Sequence, residues 1–349
     1  MRTGRIAGLA AAAAGIAVAG AAAGAVNHRH RAQRRRTGEA DPYGTLRAEP
    51  TSVVTPDGVT LHVEVDEVEH ADGPTLVFVH GYALNLDCWH FQRAAVRGVH
   101  RAVFYDLRSH GRSSRSGRDH ATIEQLGEDL ALVLEQVTGD EPVVLVGHSM
   151  GGMTVIALAE QHPELFGTKV VGVGLIGTTA GGLEPERVIL PQLPRPLTGQ
   201  LAPRVVALLA HGPNLVDGAR RTGSDLGYWA TRRFAFGGKV SPTLVDFVDA
   251  MLANTPFEVL AEFFPHFATL DKFAALSALA QVPTTIVCGT KDRLTRISHS
   301  RKMASQLDGA RLVECEGAGH LVLLEQPDRV NQALEELYAA STRTADRAG

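Results

Sequence analysis

The sequence predicts an α/β fold: a doubly wound, mostly parallel eight-stranded sheet with helices on both faces and an inserted helical cap. Three observations predict it. Short apolar runs alternate with helical patterns along most of the 349 residues. Most of those runs are continuously apolar, as strands covered on both faces require. One long interval, from about Thr179 to Ala268, holds no convincing strand.

Taken in order, the chain opens on a segment unlike the rest. Ile6 to Val26 is 21 residues without a charge, enough at about 1.5 Å per residue to span a bilayer core. It is mostly Ala and Gly, so insertion is only weakly favoured. HRHRAQRRR follows it, whereas only Arg2, Arg5 and the amino terminus precede it. By the positive-inside rule, residues 1–26 form a membrane anchor with the body of the chain in the cytoplasm. One rival is a signal peptide cleaved near Ala23-Gly24-Ala25, with export of the remainder, which arginines just past the cleavage point oppose; another is a low-complexity disordered tail with no membrane role. Residues 27–50 read as a basic linker.

The core is expected over residues 51–178 and 269–340. Thr51 to Thr55 and Val59 to Val65 flank Pro56-Asp57-Gly58, a hairpin signal and an antiparallel start. Parallel strands are expected at TLVFVH (from Thr75), RAVFYDL (from Arg101), PVVLVGHS (from Pro142), VVGVGLIG (from Val170), TTIVCGT (from Thr284) and ARLVECEG (from Ala310). Helices are expected near 121–137, 150–161, 267–280, 296–306 and 326–340. The strandless interval is too long for a loop in a compact domain and is assigned to a helical cap over residues 179–268. The last nine residues, STRTADRAG, are polar and are expected to be disordered over 341–349.

Composition excludes some functions. The net charge is -4 and basic excess is confined to the amino-terminal region, which argues against a nucleic-acid partner. Three cysteines, Cys88, Cys288 and Cys315, stand far apart with no C-x-x-C. Neither a zinc site nor a disulfide framework is indicated, and small buried thiols are expected. No metal or cofactor is implied.

The chemistry gathers at Gly147-His148-Ser149-Met150-Gly151, a G-x-S-x-G between an apolar strand and the helical MGGMTVIALAEQH. That is the setting of a nucleophile elbow: Gly147 and Gly151 keep the turn tight so that Ser149 stands on a strained bend. A hydroxyl needs a base, and the base needs an orienting acid. Among 15 histidines, His320 stands out, on a glycine-flanked loop after the last expected strand. Asp292, just past the preceding strand, is the acid candidate, although an aspartate there also forms turns and caps helices. The chain order is then Ser, Asp, His. Acyl transfer also needs oxyanion donors. The Met150 N–H is one; Tyr82 N–H, in HGYALN, is the first choice for the other and Ala83 the second. His80 is read as structural, and His148 as shaping the elbow or the pocket floor.

HGYALN, YDLRSHGRSS, GHSMGG, GTKDRLT and GAGHLVLLEQP resemble, in order and spacing, the α/β-hydrolase fold superfamily over about residues 50–340. The resemblance implies Ser149 as nucleophile, Asp292 as acid and His320 as base. Asp106 to Gly111 resembles the family's D-x-R-G-x-G loop, with Ser109 and His110 departing from its glycine pattern. Members with aspartate at the elbow, the epoxide hydrolases and haloalkane dehalogenases, are excluded by Ser149. The implied activity is serine hydrolysis of a carboxylic ester, lactone or thioester through an acyl-enzyme. C–C bond hydrolysis, cofactor-free haloperoxidase or perhydrolase chemistry, and ligand binding without turnover remain alternatives. Seven of 12 phenylalanines fall in the cap (Phe234, Phe236, Phe247, Phe257, Phe263, Phe264, Phe267), with Tyr228 and Trp229. Trp229, Phe234 and Phe263 are candidate pocket residues for a small, apolar, ester-like substrate; the same rings also serve as the cap's own core. Arginines at 220, 221, 232 and 233 are read as a solvated face or as partners of an anionic substrate group. Neither the natural substrate nor the oligomeric state is legible.

Overall fold

The computed structural model describes residues 43–69, 73–184 and 225–348. The expected anchor or signal segment and most of the basic linker lie outside the described residues, as does the first half of the cap. Among the described residues no helix is long and apolar enough to cross a membrane.

Eight strands form one open sheet: β1 (Pro50–Val54), β2 (Thr60–Asp66), β3 (Thr75–Val79), β4 (Ala102–Tyr105), β5 (Val143–His148), β6 (Val170–Ile176), β7 (Thr284–Gly289) and β8 (Arg311–Cys315). Their order is β1-β2-β4-β3-β5-β6-β7-β8. β2 runs antiparallel to both neighbours and every other pairing is parallel. Strands β3 to β7 are buried at every position. Their continuous apolar character follows from helices lying on both faces.

The helices are α1 (His90–Val96), α2 (Ile123–Thr138), α3 (Met150–Gln161), α4 (Asp225–Ala235), α5 (Pro242–Asn254), α6 (Phe257–Thr269), α7 (Leu276–Leu279), α8 (Ile297–Ala304), α9 (Val322–Glu325) and α10 (Pro327–Ala348). One core cluster joins α2 and α3 to one face of the sheet. A second joins α1 and α10 to the other. Helices α4 to α6 are the described part of the cap, inserted between β6 and β7. All three cysteines are free and buried.

The structure departs from the expectation in three places. The helix expected over 267–280 is broken: α6 stops at Thr269, Asp271 bridges to Gly181, and Lys272 donates its N–H to the Ala180 carbonyl. The nearly buried Lys272 ammonium lies 2.8 Å from Glu124, which fixes that crossing. The tail expected to be disordered continues α10 to Ala348. Ser341 is fully buried in a notch at Gly172, where a Cβ would stand 1.9 Å from the serine oxygen. Helix α1 was not anticipated at all. Its inward residues are polar: Arg93 donates to Asp66 and Glu64, and Gln92 to the Leu323 carbonyl. A buried polar face gives no hydrophobic periodicity.

Candidate active site

Strand order reverses between β3 and β5, and in such sheets a crevice opens beyond the carboxyl ends at the reversal. Both strands deliver site residues there. β5 ends at His148, and Ser149 follows with φ 52° and ψ -117° as the cap residue of α3. That backbone is costly for a side-chain-bearing residue. It is over-determined by its bonds: Ser149 N–H donates to the Ile176 carbonyl, and the Ser149 carbonyl accepts from Thr178 Oγ1 at 2.7 Å. The elbow glycines are required sterically. A Cβ on Gly147 would stand 2.5 Å from the Gly151 oxygen, and one on Gly151 2.0 Å from the Val79 oxygen.

The three residues singled out from the sequence meet at this point. His320 Nε2 is 3.0 Å from Ser149 Oγ, and His320 Nδ1 is 2.9 Å from Asp292 Oδ2. All three are buried, with Ser149 retaining 9% exposure. Asp292 is fully engaged. Its Oδ1 accepts the N–H groups of Leu294 and Thr295, at 2.8 and 3.0 Å. Its Oδ2 accepts from His320 and faces Thr295 Oγ1 at 2.8 Å. The hydroxyl of Thr295 also lies 2.7 Å from the Gly177 carbonyl and 3.2 Å from His320 Nδ1. Thr295 is the residue that sequence reasoning missed. Its only signal is a hydroxyl three positions after the acid.

The loop bearing His320 is clamped by Glu325 and by the cap. Glu325 Oε2 accepts the N–H of Gly319 at 2.7 Å and of Gly237 at 3.0 Å, and the Leu321 N–H donates to the Ala235 carbonyl. The base loop and the end of cap helix α4 are thereby one unit.

On the other side of Ser149 lies the loop after β3. His80 is fully buried and structural: its Nε2 accepts from the Leu107 N–H and its Nδ1–H donates to the Gly81 carbonyl. Burial lowers its pKa to about 4, so the ring is neutral. A Cβ on Gly81 would lie 3.1 Å from that of Ser149, which brings the loop against the elbow. Tyr82 and Ala83 come next, Ala83 with φ 62°. Met150 is the first residue of α3, where N–H groups have no acceptor within the helix. His148 is fully buried beside the base; its Nε2–H donates to the His320 carbonyl at 3.1 Å. Burial, and after it the neighbouring His320, hold its pKa well below the usual imidazole value. In the family-like loop, Ser109 takes φ 63° itself and bonds Ser116, while Asp106 accepts from the Leu86 and Arg112 N–H groups.

A cavity of about 1190 Å³ opens over these residues, between sheet and cap. Ser149, His148, His320 and Tyr82 line it, with Trp229, Phe234, Phe264 and Phe267 from the cap. Phe263 does not: α6 turns it the other way, fully buried against the edge of His110 with ring centroids 5.6 Å apart. Neighbouring helix positions point to different faces. Among the described residues no cluster of three His, Cys, Asp or Glu side chains is placed to hold a metal ion.

Comparison with known proteins agrees with this architecture. The family described as "Alpha/beta hydrolase family" matches residues 76–333. The chain is similar to 3-oxoadipate enol-lactonase 1 of Acinetobacter baylyi, 27% identical over 275 residues that cover 79% of this chain and 91% of that one. Among solved structures it is similar to a thermophilic esterase from Thermogutta terrifontis, with TM-score 0.66 and 24% identity over 84% of this chain and all of that one. It is equally similar to the enol-lactonase from Burkholderia xenovorans, with TM-score 0.66 and 24% identity over 83% and 99%. At these identities the structures speak for the fold alone. The family match spans well over half of the sequence, from β3 into α10, and the chain therefore belongs to the alpha/beta hydrolase family.

Proposed function

We propose that this protein is a serine hydrolase that cleaves a carboxylic ester or lactone through an acyl-enzyme. The observation that carries the reading is the unbroken line from Ser149 Oγ to His320 to Asp292, at 3.0 and 2.9 Å, on a backbone strained at the serine. His320 takes the hydroxyl proton as Ser149 attacks the carbonyl. Asp292, held by two backbone N–H groups, orients the ring and stabilises its charged form. The N–H groups of Met150 and Tyr82 receive the oxyanion. His320 protonates the leaving oxygen and then activates water to release the acid. A lactone is an internal ester and needs no further group, so the similarity to the Acinetobacter enol-lactonase supports this substrate class. The apolar wall supplied by Phe264 and Phe267 suits an apolar portion of the substrate.

The test is covalent. A fluorophosphonate probe should label the wild type and leave Ser149→Ala unlabelled, and p-nitrophenyl esters should be hydrolysed only by the former. A wild type that neither labels nor turns over any ester or lactone would make the fold a binding scaffold.

A further inference from the structure

At the cavity mouth Arg233, Arg293 and Arg296 are exposed, unlike the arginines of the interior. Buried arginines are matched with acids: Arg93 with Glu64 and Asp66, Arg108 with Asp57 and Asp129. Among the described residues, Arg232, Arg233, Arg293 and Arg296 have no carboxylate within ion-pair distance. Three of them, Arg233, Arg293 and Arg296, line the cavity that holds Ser149 and His320. They are not scattered. Arg293 follows Asp292 directly, and its guanidinium donates to the Arg233 carbonyl at the end of α4. Partial burial, and after it the charges of Arg233 and Arg232, lower the Arg293 pKa from its ordinary value. The acids that share the cavity are already engaged: Asp249 accepts from Thr231, Glu184 has a partner of its own, and Asp292 holds His320.

Gathered like charges raise the local potential and attract an anion from outside. We propose that the substrate carries an anionic group of carboxylate type, joined by an apolar spacer to the ester or lactone carbonyl. The carbonyl meets Ser149, and the charge meets the rim formed by Arg233, Arg293 and Arg296. This rests on the serine-hydrolase reading above and narrows its substrate class. A substrate is favoured over a docked membrane surface because the arginines line the same enclosure as the nucleophile.

Matched ester pairs test it. Mono-p-nitrophenyl suberate and p-nitrophenyl octanoate differ only in a terminal carboxylate on the acyl side. The 4-carboxyphenyl and phenyl octanoates place the same difference on the leaving group. In at least one pair the charged member should have the higher kcat/KM, by about fivefold for a few partly exposed ion pairs at low salt. That ratio should approach one as sodium chloride rises from about 0.05 to about 0.5 M. Arg233→Glu combined with Arg293→Glu should invert it. Because the two esters are compared on one preparation, any loss of folded enzyme cancels from the ratio.

Equal rates for both members of both pairs, with no effect of the charge reversals, would overturn the inference and leave ester hydrolysis standing. So would a rate that rises only when neutral ester is presented on phosphatidylglycerol vesicles, since the rim would then be reading a lipid surface. If no ester is cleaved and the fluorophosphonate fails to label Ser149, both readings fall together.

Discussion

Asp292 divides its two oxygens between two tasks. Oδ1 closes a turn on the N–H groups of Leu294 and Thr295, and Oδ2 faces His320. An aspartate after a strand is ordinarily read as a turn former or as an acid, and here one side chain is placed for both. The turn fixes the carboxylate plane, and the plane fixes the imidazole. Thr295 adds a hydroxyl to the same oxygen, with its single proton contested by the Gly177 carbonyl. Thr295→Val keeps the shape and removes that donor. Its kcat on p-nitrophenyl esters should fall about tenfold, the worth of one buried hydrogen bond to a charged group. KM should change little, and Thr295→Ser should restore most of the loss. An unchanged kcat in the valine variant would make Thr295 mere packing. At this scale the three residues that meet were legible from strand ends and chain order. Thr295 was not, because a threonine near a loop acid has no distinguishing pattern until the chain folds back on it.

At the scale of elements, the elbow depends on how closely β5, α3 and β3 approach. Gly151 sits where a Cβ would be 2.0 Å from the Val79 oxygen, a backbone atom of the central sheet. Gly151→Ala should therefore force α3 off the sheet. The loss should exceed about 4 kcal/mol, in the range reserved for overpacked cores. Gly309→Ala is the control: its φ is 82° but nothing lies within 4 Å, so only the left-handed backbone cost of about 1–2 kcal/mol applies. Urea melts of the two variants should differ accordingly, and similar midpoints would remove the steric account of the elbow. Elements were legible where burial is apolar. β3 to β7 were recognised because both faces are covered. α1 was missed because Gln92 and Arg93 are the buried side chains there. The end of α10 was missed because a buried serine in a glycine notch looks, in sequence, like a polar tail.

Across the whole molecule, the buried imidazoles set a pH limit on stability. His80 and His110 are fully buried, and burial lowers their pKa values to about 4 and about 3, below the ordinary 6.5. The unfolded chain takes up these protons near pH 6.5 and the native protein does not, so stability falls as pH falls below 6.5. Each group contributes on the order of 1 kcal/mol per pH unit in that window, until its native form also protonates. Carboxylates held low, such as Glu64 and Asp57 at about 2, add a loss only below about pH 4.5. The melting temperature, measured at constant ionic strength, should begin to decline near pH 6.5 rather than near 4.5. A flat profile down to pH 5 would contradict neutral buried rings. The fold as a whole was readable from the alternation of strands and helices. The cavity mouth was legible only in part: the sequence offers Arg233 for an anionic group, whereas Arg293 and Arg296 come from the loop after β7 and join it only when the cap folds over the sheet.

Ser149 and His320 are separated by 171 positions, yet their side chains touch. The hydroxyl is thus made well before its base in translation. A nascent chain leaving the ribosome carries an ordinary alcohol through the 171 positions that separate it from its base, and no proteolytic fragment from either side of the cap holds both halves. Competence to react arrives only with β8 and the loop behind it, so the finished fold itself serves as the activation step.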